Sequence, residues 1–250
     1  MSQSATAGVK LATRKAEPAA AATTPRRQRR AAEIVAAARA VFVDKGFERA
    51  SVAEIAARVG VVEGLVYSYF PSKRELLNEV LRGLYEPLIR DIDAGFARLQ
   101  GLRSRLRFLI WRHLRVYAEE PGLSRLALHE VRTGPDYFTS VLHDLHVQYT
   151  AFLLRTVHDA VHDGELPATT DAELVRSLVY GGIEHQLWAA LYGRGGRVDV
   201  EALADRWTEV VLHGIQPAAR ERGQQLESRL ARLEQLVAAQ PRAARNARSR

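Results

Sequence analysis

Apolar residues recur at three- and four-residue spacing along most of the chain, and no segment shows the strict alternation of a half-buried strand. From Arg26 to Lys45, Ile34, Val35, Ala38, Val41 and Phe42 mark one helix face, and Gly46 supplies the stop. Ser51 with Glu54 makes a capping-box pattern that opens a short helix through Ile55, Ala56 and Val59 to Gly60. A second short helix is predicted over about 62–69. Pro71 ends it, because the residue before a proline is pushed out of helical geometry. Ser72 and Glu75 repeat the capping pattern at the head of a long helix through Leu76, Leu77, Val80, Leu81 and Leu84. Further helices are predicted over about 102–119, 123–131, 135–163, 171–192 and 199–215, with Thr170 and Glu173 capping the one at 171. Leu226, Leu230, Leu233 and Val237 have the spacing of a coiled-coil seam about two heptads long. The fold class is all-α.

A capped short helix, a glycine-containing turn and a second short helix form the pattern of a helix-turn-helix. In that motif the second helix enters the DNA major groove while the first crosses the backbone. The run Ile34, Ala38, Phe42, Gly46-Phe47, Ser51-Val52, Ile55-Ala56, Val59-Gly60-Val61, Gly64, Tyr67-Ser68-Tyr69-Phe70-Pro71-Ser72-Lys73 and Leu76-Leu77 resembles the N-terminal domain of the TetR/AcrR family. The resemblance implies a homodimeric, ligand-responsive bacterial transcriptional regulator, most simply a repressor released by a small, largely apolar effector. It places a helix-turn-helix domain over 26–88, with its motif at about 51–70, and a helical ligand-binding and dimerisation domain over 89–216. The implied partners are a pseudo-palindromic operator in double-stranded DNA, the effector and a second copy of the chain.

The resemblance also implies roles for individual residues. Val66 and Phe70 close the small bundle. Ser51, Tyr67, Tyr69 and Lys73 present polar groups to phosphates, Lys73 from the N-terminus of a helix. Gly64 lets the recognition helix lie close to the duplex or to a neighbouring helix. Val62 stands where the family usually has Ser or Thr, so a capping hydroxyl is lost. Val62, Glu63 and Leu65 are the base-edge candidates, and Glu63 can accept from a cytosine amino group. With so little hydrogen-bonding capacity there, Arg26, Arg27, Arg29 and Arg30 are expected to add readout from the adjacent minor groove.

Charge sharpens this picture. The net +7 is concentrated at the two ends. Residues 1–30 carry Lys10, Arg14, Lys15, Arg26, Arg27, Arg29 and Arg30 against Glu17, and 217–250 carry eight arginines against Glu221, Glu227 and Glu234. Basic ends on a mildly acidic body are the footprint of a polyanionic partner. Residues 1–25, rich in Ala, Thr and Ser, are expected to be a disordered basic arm. Residues 217–250 are expected to be a basic helical extension and tail, dispensable for folding and dimerisation because two heptads make too short a coiled coil. The chain has no cysteine, which excludes disulfides, thiolate zinc sites and cysteine nucleophiles. No apolar run approaches a membrane span and no signal-peptide pattern opens the chain, so no membrane partner and a cytoplasmic location are expected.

Other constellations carry less. The pairs His143/His146 and His158/His162 have a spacing that can hold a metal, which makes an all-α metal-dependent enzyme the alternative function. A solvated helix face explains them more simply, and no catalytic residue, metal or cofactor is expected. A helical module using its basic ends on acidic partners or membrane is a further alternative. Gly193-Arg194-Gly195-Gly196 follows a helix rather than a strand and reads as a connection between the dimerisation helices. Gly181 and Gly182 are expected to allow close helix approach across the dimer, with Glu184 and His185 pairing to the other subunit or, as the alternative, lining the ligand cavity. Trp111, Tyr117, Phe138, Tyr149, Phe152 and Trp188 are the candidate walls of an effector pocket.

Overall fold

The computed structural model describes residues 25–128, 137–194, 198–215 and 219–238. The expected disordered arm, the end of the 123–131 helix, the start of the 135–163 helix, part of the 193–196 connection and the arginine-rich tail lie outside these residues. The described residues form helices α1 (Pro25–Lys45), α2 (Val52–Val59), α3 (Glu63–Tyr69), α4 (Lys73–Phe96), α5 (Leu102–Glu119), α6 (Pro121–Leu126), α7 (Val141–His162), α8 (Ala172–Leu191), α9 (Val200–Ile215) and α10 (Ala219–Ala238). Among the described residues there is no strand, and no helix is long and apolar enough to cross a membrane.

The caps explain most of the boundaries. Ser51 Oγ accepts from the Glu54 N–H at 3.2 Å, and Ser72 Oγ accepts from the Glu75 N–H at 3.0 Å. Neither cap is a full box. The Glu54 carboxylate pairs with Lys45, and the Glu75 carboxylate accepts from Asn78. The cap of α8 is Asp171, whose carboxylate accepts from the Leu174 N–H at 3.0 Å, one residue beyond the expected Thr170. The α7 helix starts at Val141 because Ser140 caps it after a 3-10 turn at Tyr137–Thr139.

Two hydrophobic clusters organise the chain, and they do not divide at residue 88. The first is built by α1–α3 and the start of α4, with Ile34, Phe42, Ile55, Val66, Leu76 and Leu81 at its centre. The second is built by the end of α4 with α5, α7, α8 and α9. Helix α4 runs unbroken through the expected boundary, giving Leu76, Leu77, Val80 and Leu81 to one cluster and Leu88 and Ile92 to the other. Pro87 is tolerated inside α4 because both it and Gly83, whose carbonyl it cannot satisfy, are exposed to water. Leu123, Leu126 and Ala127 around α6, with Leu142 and Leu145 of α7, complete the first cluster from the C-terminal half. The two halves therefore share a core.

Gly182 serves a close approach within one chain. A Cβ there would lie 2.5 Å from the Trp207 ring of α9. Gly181, by contrast, faces open space. Within the chain Glu184 accepts from the Tyr117 hydroxyl at 3.2 Å.

Candidate DNA interface and effector cavity

Helix α3 has one buried residue, Val66, and that fixes which way it faces. Gly60 ends α2 in the left-handed conformation at φ 72°, and Val62 then takes the N-cap position with no side-chain bond. The unsatisfied first-turn N–H groups therefore meet solvent with the Glu63 carboxylate close by, which suits the helix dipole. Val62 (75% exposed), Glu63, Gly64, Leu65 and Tyr67 (45% exposed) all stand exposed around that single anchor. A Cβ on Gly64 would meet nothing within 4 Å. Packing against a neighbouring helix is thus not what this glycine serves, and it leaves bare backbone on the outward side of α3.

Phe70 and Tyr69 are half-buried against the first cluster, their rings 6.5 Å apart. Tyr67 projects freely, whereas Tyr69 carries the Arg27 guanidinium 4.7 Å above its ring. Arg27 also donates to the Ser68 carbonyl at 3.2 Å. Exposed Ser51 stands at the head of α2.

Lys73 was expected to offer its ammonium to a phosphate. Instead it donates to the carbonyls of Phe47 (2.9 Å), Ala50 (3.0 Å) and Glu48 (3.4 Å) and sits 4.4 Å above the Phe47 ring. An ammonium has three donors, and all three hold the turn between α1 and α2. What α4 can present to an anion is its first-turn N–H groups. Lys73→Met should accordingly lower stability by about 1.5–3 kcal/mol in thermal unfolding and leave the salt slope of duplex binding unchanged. A slope smaller by about one would return Lys73 to the phosphate backbone.

Arg26, Arg27, Arg29 and Arg30, the minor-groove candidates, fall on the helix predicted from Arg26. Pro25 opens α1, its fixed φ suiting the first helical position, and all four arginines lie on the helix. Arg29 and Arg30 both pair with Glu33, at 3.4 and 2.8 Å. They make a basic ridge at the head of α1, tied through Arg27 to the end of α3.

Glu63 decides between two modes of contact. If it accepts from a cytosine amino group, Glu63→Gln should relax preference at one base pair, worth roughly 1–3 kcal/mol. If it faces phosphate, the loss of charge should tighten binding to every duplex. Selection from a random duplex pool with both proteins separates the two, and identical pools and affinities would put Glu63 off the DNA.

In the C-terminal half a cavity of about 540 Å³ opens between α5, α8 and the start of α9. Its walls include Trp111, Leu114, Tyr117, Leu187, Leu191 and Val198, and its rim carries Arg115, Glu119 and Glu201. Trp111 Nε1 donates to Glu201 at 2.6 Å, and Arg107 bonds both Glu201 and Asp205, holding the Asp205 carboxyl below its usual range. Of the expected walls, Trp111 and Tyr117 line this cavity. Tyr149 lines a much smaller void of about 30 Å³, and Phe152 packs in the second cluster against Phe96. Phe138 (77% exposed) and Trp188 (48% exposed) are corrections, since both lie on the surface and line neither space.

A buried polar group escaped the sequence reading. His113 Nδ1 bonds the Tyr149 hydroxyl, and the His113 ring packs edge-on against Tyr117 and Tyr180. Burial pushes both the Tyr149 and the Tyr180 phenols up, so they stay neutral. His113 falls on the buried stripe Leu106, Leu109, Ile110, Leu114 and Tyr117 of α5, and that periodicity was its available signal.

The histidines of the alternative reading all lie on α7. His143 lies against Tyr137 and Phe138, His146 against Tyr85, and exposed His162 contacts its neighbour Asp163. Among the described residues no three His, Asp or Glu side chains are grouped to hold a metal.

Comparison with known proteins agrees with this geometry. Residues 34–80 match the family of bacterial regulatory proteins of the tetR type, and residues 100–215 match a tetracyclin repressor-like C-terminal domain. The chain belongs to the TetR family. It is 21% identical to the fatty acid metabolism regulator protein of Bacillus subtilis over 183 residues, covering 73% of this chain and 94% of that one. It is 27% identical to the transcriptional repressor KstR2 of Mycobacterium tuberculosis over 193 residues, covering 73% and 91%. The fold resembles that of FadR from Bacillus subtilis crystallised with stearoyl-CoA, with a TM-score of 0.66, 21% identity and coverage of 74% and 99%. As a TetR-family chain, it places its matched DNA-binding segment over α1–α4 and leaves α10 beyond both matches.

Proposed function

We propose that this TetR-family protein is a homodimeric, sequence-specific transcriptional regulator, a repressor released when a small, largely apolar effector enters the α5–α8–α9 cavity. The observation that carries the DNA half is the outward face of α3, where Val62, Glu63, Gly64, Leu65 and Tyr67 stand exposed on a helix anchored by Val66. That is the form of a recognition helix.

Dimerisation is supported by α8. Leu174, Leu178, Gly181, His185, Trp188 and Tyr192 are all exposed and follow four–three spacing, which places them on one seam. Val210 of α9 is 63% exposed as well. An apolar stripe of this kind suits a self-complementary interface between copies.

Coupling between cavity and DNA face has a physical route. Glu119 and Pro121 line the cavity, and the intervening Glu120 is gripped by both bonds of Arg39 on α1, at 2.7 and 2.6 Å. Leu123 and Leu126 then enter the first cluster, with α6 packed on α1. An effector that shifts the end of α5 thereby shifts α1, and it acts only through its different affinity for the two arrangements. The cavity's apolar walls suit an acyl chain or a similar body, and stearoyl-CoA, found in the Bacillus subtilis FadR structure, is the first probe. Stearoyl-CoA should release the protein from its operator while coenzyme A alone should not. Ala118→Trp, which fills the cavity from an exposed position, should keep operator affinity and lose the release. Release that is unchanged by this substitution would place the effector elsewhere.

A further inference from the structure

Helix α10 is twenty residues long, lies beyond the family match, and is exposed along all of residues 227–236. Leu230 and Leu233 are 52% and 57% exposed although their spacing is that of a buried seam. Arg229 reaches over the turn at Gly164, and the leucine face remains uncovered. Such a face needs an occupant, because several leucines in line on water are costly and adhesive.

We infer that α10 pairs in parallel with α10 of a second copy, forming a short two-stranded coiled coil that clasps the dimer. The charges choose this occupant. With Leu226 and Leu233 at d and Leu230 and Val237 at a in the sequence register, the e positions are Glu227 and Glu234, and the g positions are Arg222, Arg229 and Leu236, the last widening the apolar seam. In a parallel pair each g residue faces the e residue of the next heptad on the partner. Arg229 then meets Glu234, twice over by symmetry. An antiparallel pair would set Arg against Arg and Glu against Glu. A polyanion is a poorer fit, since Arg220, Arg222, Arg229 and Arg232 are nearly balanced by Glu221, Glu227 and Glu234 on the helix itself. The basic excess lies beyond it, at Arg242, Arg245, Arg248 and Arg250.

Length argues for a clasp rather than a primary interface. Two heptads do not hold together in isolation. Tethered three residues after α9, whose neighbour α8 carries the proposed dimer seam, the two α10 helices meet at high effective concentration. The inference rests on the homodimer proposed above, and it gives a role to a segment the two-heptad count marked as dispensable.

The chain has no cysteine, so one introduced thiol reports one position. Leu226→Cys, Leu230→Cys, Leu233→Cys and, as the outward f-position control, Gln235→Cys are made in the full-length protein. Each is oxidised mildly, and its reduced form is sedimented in parallel. All three seam thiols should form covalent dimers, at least about tenfold faster than Gln235→Cys, because paired helices turn collision into an intramolecular encounter. Arg229→Glu in the Leu233→Cys background should slow crosslinking, and adding Glu234→Arg should restore it. Seam thiols no faster than the control, in protein that sediments as a dimer, would overturn the clasp and leave the homodimer standing. Monomeric sedimentation would remove both. Crosslinking of Leu226→Cys with Val237→Cys but not with itself would show antiparallel pairing and overturn the assignment. Seam crosslinking abolished by anionic vesicles would give the leucine face to a membrane instead.

Discussion

Gly64→Leu should fold as well as the unchanged protein and bind its operator about a hundredfold more weakly or worse. The fold tolerates it because a Cβ at this position meets nothing within 4 Å, and leucine is the better helix former by somewhat under ~1 kcal/mol. The binding does not tolerate it, because the same open space is where the duplex must approach α3. A side chain there holds the helix off the groove and forfeits the contacts of Val62, Glu63 and Leu65 together, leaving affinity near the non-specific level. Thermal unfolding with duplex titration reads both halves. A lowered midpoint would show that Gly64 packs against protein, and full operator affinity would show that α3 does not enter the groove.

Leu178→Arg should convert the dimer to monomer and take operator affinity with it. Leu178 is 47% exposed in the single chain and lies centrally on the α8 stripe. Burying an unpaired charge costs about 3–5 kcal/mol, and a two-fold interface repeats the cost on the other subunit. The dimer dissociation constant should rise by at least a few hundredfold, about 3 kcal/mol or more in free energy. Sedimentation over a concentration series measures it. The folded monomer should survive, because Leu178 takes no part in either hydrophobic cluster. A variant that still sediments as a dimer at low concentration would move the interface off α8.

The DNA-binding half was legible because its signals are local. Ser51, Gly60, Pro71 and Ser72 each punctuate the helix next to them, and the apolar spacing of α1 and α4 supplies the core. What was not legible depends on distance along the chain. Lys73 carries the right charge at a helix start, but its ammonium is claimed by carbonyls more than twenty residues earlier. Arg39 and Glu120 lie eighty-one positions apart, and no local pattern announces their pairing. Helix α4 continues through Pro87, a residue that stops helices except where water can take over the lost bond, so the two halves are joined by one helix rather than by a linker. Among the expected pocket walls, aromatic character alone did not distinguish Trp111, which lines the cavity, from Trp188, which lies on the exposed α8 stripe.

In the function proposed above, a dimer reads DNA sequence through two α3 helices. Selection from a random duplex pool, followed by titration of the winning duplex and its scrambled counterpart at several salt concentrations, tests it most directly. The expected result is an inverted repeat whose half-sites lie about one helical turn apart, two chains per duplex, and affinity falling steeply with salt. Equal affinity for the scrambled duplex, or an enriched site with no internal symmetry, would contradict it.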